Sequence, residues 1–179
     1  MQNKHLIFSG IPASGKSTVA RTLSEALDVE MLDKDEILEA LFEERGIGEA
    51  KWRSTLSRAA DEILRERALQ LTNSILVSWW RHPNSTSNSG TPVEWLSDLP
   101  GVLIEVYCSC APAIAAARFK SRVRHRGHLD QCKSQADLVT EFEQHAALGP
   151  LRIGELIEVN TESSVELSKL MTEIARCSQ

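Results

Sequence analysis

The sequence lacks a long apolar run, and this limits how the chain can relate to a membrane. Its 179 residues contain no stretch close to the roughly 20 apolar residues that cross a bilayer. The first residues, MQNKHLIFSG, lead directly into a glycine-containing segment and do not form the apolar core of a signal peptide. We therefore expect one cytoplasmic domain over residues 1–179, with no signal peptide and no membrane contact.

Cysteine is also scarce, and acidic residues outnumber basic ones, with 25 Asp and Glu against 20 Lys and Arg. The four cysteines do not follow the spacing of common zinc sites or of a redox C-x-x-C pair, so we interpret them as reduced thiols: Cys108, Cys110, Cys132 and Cys177. The formal net charge is −5, which means that the overall electrostatic field does not attract polyanions. Any site for an anion must therefore be built locally from a few residues.

Short apolar runs alternate with segments of helical periodicity along the chain. The runs predict strands at residues 5–9, 29–32, 75–79, 102–107 and 156–159. The periodic segments predict helices at residues 16–27, 33–42, 51–71, 112–124, 135–147 and 164–176. The polar segment 82–92 is expected to be a loop. Strands that alternate with helices predict an α/β fold whose five-stranded parallel sheet is covered on both faces.

Residues 10–17 carry the strongest functional signal. The segment GIPASGKS matches G-x-x-x-x-G-K-[ST] at every fixed position and lies between the first predicted strand and helix. In such a loop, backbone N–H groups and a helix N-terminus surround phosphate groups, and Lys16 reaches the β- and γ-phosphates. The Ser17 hydroxyl is placed to ligate Mg²⁺. The motif predicts a P-loop NTPase three-layer sandwich in which ATP and Mg²⁺ are bound by Gly10, Ala13, Ser14, Gly15, Lys16, Ser17 and Thr18.

Two aspartates follow the second predicted strand. Because ligands bind at the carboxyl ends of strands in an open α/β sheet, Asp33 and Asp35 are expected to face the γ-phosphate. Phosphoryl transfer to an alcohol requires a base for the hydroxyl proton, a role that we assign to Asp35. Asp33 is assigned to the metal site. Both can instead be acids of a helix N-terminus. The phosphate loop alone leaves kinase, GTPase and mechanical ATPase open.

A basic segment follows the fourth predicted strand. Within RFKSRVRHR, the residues Arg118, Arg122 and Arg126 recur at four-residue spacing. If the helix continues that far, they share one face and form an Arg-rich lid over the phosphates at about residues 118–130. Guanidinium groups stay charged and donate paired hydrogen bonds to phosphate oxygens. The lid predicts catalytic roles for Arg122 and Arg126, although a solvated basic helix face has the same pattern.

Together these motifs resemble the P-loop small-molecule kinases typified by chloramphenicol phosphotransferase, and more distantly the polynucleotide kinases and zeta-type toxins. The segments GIPASGKST, LDKDEILEALF, VLIEVYCSCAPAIAAARFKSR and LIEVNTESS occur in the order found in that group. The resemblance implies that Asp35 is the base and that Arg118 stacks on adenine, with Arg122 and Arg126 in the lid. It also implies adenine contacts from Asn160 and Thr161.

Two positions differ from the pattern that the resemblance implies. Many relatives have an acidic residue near the end of the third strand, where this chain has Ser78, so Mg²⁺ is expected to depend on Ser17, Asp33 and water. Polynucleotide kinases are expected to have an arginine shortly after the base, in the region where this chain has Leu38. That departure weakens the expectation that the acceptor is a nucleic-acid end.

Three functions stay open at this stage. The leading one is an ATP-dependent phosphotransferase that acts on a hydroxyl of a small molecule. A polynucleotide 5′-hydroxyl kinase agrees with the basic lid but not with the negative net charge. A non-catalytic nucleotide-binding switch leaves the aspartates and arginines without a role. Trp79 and Trp80 can form an apolar wall for the acceptor or pack in the core, while the acceptor itself and the oligomeric state have no sequence signal.

Overall fold

The computed structural model describes residues 3–129 and 133–177, which form one parallel sheet covered by helices. The five strands are β1 (Lys4–Ser9), β2 (Met31–Asp33), β3 (Asn73–Val77), β4 (Val102–Ser109) and β5 (Glu155–Asn160). Their order in the sheet is β2-β3-β1-β4-β5, and all neighbouring strands are parallel. The predicted five-stranded parallel sheet is therefore confirmed.

Helices cover both faces of this sheet. They are α1 (Lys16–Leu27), α2 (Lys34–Arg45), α3 (Ala50–Gln70), α4 (Pro112–Ser121), α5 (Gln135–Ala146) and α6 (Leu167–Arg176). Successive strand residues point to opposite faces, so in β1 the side chain of Ile7 packs with α2 and α3, whereas Leu6 and Phe8 pack with α1 and α6. The three-layer arrangement predicted from the sequence is confirmed.

One predicted boundary is wrong in a way that affects the basic segment. The helix expected over residues 112–124 ends at Ser121, and Arg122 adopts extended backbone angles. A short 3₁₀ helix, Arg126–His128, follows and packs on α2. At Gly127 even a Cβ atom would lie 2.5 Å from the ring of Phe42, so this close approach requires glycine. Tertiary packing overrides the helical spacing here, because the basic segment lies against α2 instead of extending α4.

The structure also bears on the membrane and thiol expectations. Within residues 3–129 and 133–177, no helix combines the length and the apolar character that a membrane span needs. Cys108, Cys110 and Cys177 are free thiols. Cys132 lies outside the described residues, as does residue 130 at the end of the expected lid.

A buried carboxylate in β4 holds the end of β1 and the segment that precedes β5. Glu105 is fully buried, and it accepts hydrogen bonds from the Ser9 hydroxyl and from three consecutive backbone N–H groups. The N–H groups of Leu151, Arg152 and Ile153 lie 2.8, 2.7 and 3.3 Å from its oxygens. Because Ser9 directly precedes the glycine-rich loop, Glu105 helps to hold the point at which that loop leaves the sheet.

Replacing Glu105 by glutamine should destabilise the fold by about 1–3 kcal/mol, because an amide has a single acceptor oxygen for four donors and turns its own N–H groups toward them. Urea denaturation measures the change in the free energy of unfolding. Glu158→Gln is the matched control, since Glu158 lies exposed on the neighbouring strand β5. We expect the control to change stability by less than about 0.5 kcal/mol. Equal stability of the two variants would contradict this role of Glu105.

Candidate active site

A cavity of about 670 Å³ opens at the carboxyl edge of the sheet. Its walls come from the loop between β1 and α1, the ends of β2 and β3, the start of α3, the residues that follow α4, and the loop between β5 and α6. This volume is within the range of about 300–1,000 Å³ that is typical of small-molecule sites. The residues expected from the sequence to bind nucleotide therefore lie largely around one cavity.

The phosphate loop, residues 10–17, has the tight backbone that its sequence predicts. Gly10 has a φ of 127°, and a Cβ atom there would lie 2.4 Å from the carbonyl oxygen of Cys108. Gly15 is the N-cap of α1 with a φ of 93°, and Ala13 also has a positive φ of 59°. These left-handed angles turn the chain sharply into α1, so the helix N-terminus faces the cavity.

Lys16 is folded back onto its own loop. Its ammonium group donates hydrogen bonds to the carbonyl oxygens of Gly10 and Ile11, at 2.9 and 2.7 Å. Burial disfavours the charged form and lowers the pKa of Lys16 to about 8. The same side chain lines the cavity, so a phosphate group can replace the two carbonyl oxygens as its partner.

Asp33 links the phosphate loop to the following helix. One of its carboxylate oxygens accepts a hydrogen bond from the Ser17 hydroxyl at 2.7 Å, and the other accepts from the backbone N–H of Asp35 at 2.9 Å. Asp33 is thus both the N-cap of α2 and the partner of Ser17. Burial raises its pKa, while these hydrogen bonds act in the opposite direction. Ser17 and Asp33 together provide two oxygen ligands of the kind that Mg²⁺ prefers.

Asp35 lies in the first turn of α2 and faces the same cavity. Its side chain is 53% exposed, and its carboxylate forms an ion pair of 2.5 Å with Arg124. The start of α2 is fixed further by a largely buried ion pair of 2.6 Å between Lys34 and Asp61 of α3. The carboxylate of Asp35 is therefore held in the cavity while keeping an accessible edge.

The basic segment that follows α4 pairs with a row of acidic side chains on α2. Arg124 pairs with Asp35, His128 lies 2.8 Å from Glu39, and His125 lies 2.8 Å from Glu43. The three acids recur at four-residue spacing and so share one face of α2. This row of contacts explains why the basic segment leaves the direction of α4.

The expected lid arginines separate in the structure. Arg122 lines the cavity, with its guanidinium carbon 4.5 Å from the centroid of the Phe119 ring. Arg126 is exposed and is not among the described residues that line the cavity. The expectation that both share a helical face with Arg118 is wrong, because α4 ends at Ser121. The second arginine that follows α4 and lines the cavity is Arg124. The four-residue spacing in the sequence had indicated Arg126 instead.

Arg118 and Thr161 lie together on the cavity wall beside the phosphate loop. Arg118 donates a hydrogen bond to the carbonyl oxygen of Thr161 at 2.9 Å. The Thr161 hydroxyl contacts the carbonyl oxygens of Ser14 and Ser109, which ties the loop after β5 to the phosphate loop. Asn160 is exposed and caps this turn by accepting a hydrogen bond from the N–H of Glu162, and it is not among the described cavity-lining residues.

The neighbouring tryptophans after β3 point in different directions. Trp79 lines the cavity and packs edge-to-face on His145, with ring centroids 5.1 Å apart. Trp80 is buried and donates a hydrogen bond to the carbonyl oxygen of Phe8 at 2.9 Å. Only Trp79 of this pair can therefore contact an acceptor in the cavity.

Comparison with protein families assigns the chain to a known group. The profile of the family AAA_33, described as an AAA domain, matches residues 6–141, which is more than half of the chain. The chain belongs to this AAA domain family. No curated protein sequence matches it.

Solved structures with the same fold include several kinases. A structure from Chloroflexus aurantiacus J-10-fl, provisionally described as a kinase, has a TM-score of 0.80 at 21% identity and covers 100% of both chains. Shikimate kinase from Acinetobacter baumannii, in complex with shikimate, has a TM-score of 0.60 at 18% identity, covering 96% of this chain and 90% of its own. Deoxyadenosine kinase from M. mycoides, with bound dATP, has a TM-score of 0.60 at 16% identity, covering 97% and 99%.

These similarities establish the fold of the P-loop kinases for this chain. At such low identity they do not transfer a substrate or a catalytic residue. None of them singles out the chloramphenicol phosphotransferase group, so that part of the resemblance stays a prediction.

The folded-back Lys16 predicts that nucleotide binding takes up protons. With a pKa of about 8, part of the lysine population is neutral at alkaline pH, whereas phosphate groups favour the ammonium form. Binding of ATP near pH 8 should therefore take up about half a proton, and ATP affinity should fall as the pH rises further. The γ-phosphate does not contribute, because a phosphate monoester is already ionised above its second pKa of about 6. Calorimetry in buffers of different ionisation enthalpy measures the uptake.

Lys16→Arg provides the matched control, because arginine stays charged throughout this pH range. It should bind ATP without taking up a proton at the loop. Lys16→Ala should lose most of its ATP affinity while remaining folded. Negligible proton uptake by the wild type would rule out the lowered pKa, and unchanged ATP affinity in Lys16→Ala would rule out the phosphate-loop role.

Proposed function

We propose that the protein is an ATP-dependent phosphotransferase that moves the γ-phosphoryl group of MgATP to a hydroxyl group of a small molecule. The observation that carries this proposal is that Asp35 lines the same cavity as Lys16 and Ser17. A phosphate loop alone binds nucleotide, whereas an accessible carboxylate beside it supplies the base that transfer to an alcohol requires. The cavity volume agrees with a small acceptor.

The reaction forms one bond and breaks another. The acceptor oxygen bonds to the γ-phosphorus, the bond from that phosphorus to the bridging oxygen breaks, and ADP leaves with the electron pair. Asp35 accepts the proton of the acceptor hydroxyl. Lys16 exchanges its carbonyl partners for phosphate oxygens, and Arg122 and Arg124 neutralise the negative charge that builds up during transfer.

Ser17 and Asp33 are the residues that would hold Mg²⁺. The pair fits the ion, because a hydroxyl and a carboxylate oxygen that already lie 2.7 Å apart can bind it directly or through water. The second oxygen of Asp33 stays engaged in capping α2. When bound, Mg²⁺ neutralises part of the phosphate charge.

The part of the cavity wall formed by Arg118 and the loop between β5 and α6 is assigned to the adenine ring. The planar guanidinium group of an arginine stacks well on a flat ring. Thr161 connects that loop to the phosphate loop, which supports a nucleotide that spans both. Asn160 is expected to act on adenine indirectly, by shaping the turn that it caps.

Replacing Asp35 by asparagine should preserve ATP binding and lower the transfer rate by a factor on the order of 10² to 10⁴, because an amide cannot accept the hydroxyl proton. A coupled ADP-release assay measures the rate, and calorimetry measures ATP binding. Glu36→Gln is the control, since the adjacent Glu36 pairs with Arg21 on the surface. Near-normal turnover in Asp35→Asn would refute the base assignment, and loss of ATP affinity would indicate a role in metal binding instead.

Alanine variants of Arg124 and Arg126 distinguish the arrangement seen in the structure from the helical lid that was expected from the sequence. Arg124→Ala should lower the catalytic rate by a factor on the order of 10² and change ATP affinity much less, because the arginine acts mainly as charge develops. Arg126→Ala should have the smaller effect, since Arg126 is exposed outside the cavity wall. The reverse ranking in single-turnover kinetics would favour the helical lid.

A further inference from the structure

Arg53 lies on the cavity wall but belongs to no motif. It is one turn inside the start of α3 and one turn before Leu56, which is buried against the sheet. Because α3 leads into β3, it runs antiparallel to the strands, and its first turn lies at the carboxyl edge where the cavity opens. Arg53 lines the cavity together with Asp35, Ser78 and Trp79.

The Nε of the Arg53 guanidinium group is buried without a hydrogen-bond partner. The side chain as a whole is partly buried, and within residues 3–129 and 133–177 the structure shows no ion pair for it. Other cations of the cavity are engaged. Lys16 binds two carbonyl oxygens, Arg124 binds Asp35, and Lys133 binds Glu141.

A cation that is partly removed from water and has no counter-charge is costly, and an anion in the cavity would remove that cost. We propose that the phosphoryl acceptor is a small hydroxylated anion, carrying a carboxylate or a phosphate monoester that pairs with Arg53. This inference rests on the proposed function, because it identifies the class of acceptor for the same site.

The residues around Arg53 are suited to such an acceptor. Asp35 takes the proton of the reacting hydroxyl, Arg53 binds the anionic group, and Trp79 offers an apolar face for the carbon skeleton. A neutral polyol or a neutral antibiotic would leave Arg53 unpaired beside it. A site built for a charged partner therefore discriminates against neutral analogues that lack the charge.

The test is a set of matched acceptors assayed with MgATP by coupled ADP release and by product mass. The probes are gluconate with glucitol, glycerate with glycerol, shikimate with its methyl ester, and ribose 5-phosphate with ribose. Each pair compares an anionic compound with a neutral one, and the comparison of the last pair with the first three distinguishes a phosphate monoester from a carboxylate. Thermal unfolding of the ADP-saturated protein detects binding of probes that are not phosphorylated.

The variants are Arg53→Ala, Arg53→Lys and the control Arg58→Ala, which removes an exposed arginine from the same helix. For an anionic acceptor, Arg53→Ala should lower kcat/KM by about 30-fold or more, the usual effect of leaving a charged group without its partner. Arg53→Lys should restore part of the loss, and Arg58→Ala should have no effect. ATP affinity should be the same in all four proteins, because the acceptor anion and not the nucleotide is proposed to pair with Arg53.

The inference would be overturned by a neutral probe preferred over its anionic partner, by an anionic acceptor that Arg53→Ala uses as well as the wild type, or by the absence of any anionic probe that binds or reacts at millimolar concentration. A loss of ATP affinity in Arg53→Ala would also overturn it, because Arg53 would then bind the nucleotide. The proposed function fails separately, if the wild type binds ATP but phosphorylates no hydroxyl compound, neutral or charged.

Discussion

The carboxylate of Asp33 connects the two halves of the site. One oxygen accepts from the Ser17 hydroxyl at the start of α1, and the other accepts from the N–H of Asp35 at the start of α2. Because β2 ends at Asp33, the side chain of this residue connects the edge of the sheet to the phosphate loop and to α2, the helix that contains the proposed base. Burial opposes its ionisation, and the two hydrogen bonds offset part of that cost. The positions of Ser17 and Asp35 relative to each other depend on this interaction.

Helix α2 also positions the basic segment that follows α4 relative to Asp35, the proposed base. The side chain of Phe42 stacks on His125 with ring centroids 5.2 Å apart, and Gly127 fits closely against it. The neighbouring acidic row of Asp35, Glu39 and Glu43 holds the same segment through ion pairs and hydrogen bonds. These contacts, two turns farther along α2, place the basic segment so that Arg124 reaches Asp35. The base and the arginines proposed to act on the phosphates share one supporting helix.

Local patterns predicted those parts of the molecule that local chemistry determines. The glycine and lysine spacing predicted the phosphate loop, and α1 begins and ends where its periodicity indicated. The end of α4 was not predictable in this way, because arginines at four-residue spacing also fit a helix, and only packing against Phe42 shows otherwise. Arg53 was missed for a related reason. It lies in an ordinary amphipathic helix, and the missing hydrogen-bond partner of its Nε among the described residues becomes visible only when α3 is placed against the sheet.

The central claim is that this AAA domain protein transfers a phosphoryl group and does not only bind nucleotide. A time course of ³¹P nuclear magnetic resonance spectra, recorded on MgATP with the protein and the hydroxylated acids, tests the claim without a coupling enzyme. We expect ADP and a new phosphate-ester resonance to grow in equal amounts while inorganic phosphate stays low. Bound ATP that is not consumed, or ATP that is converted only to ADP and inorganic phosphate, would contradict the account.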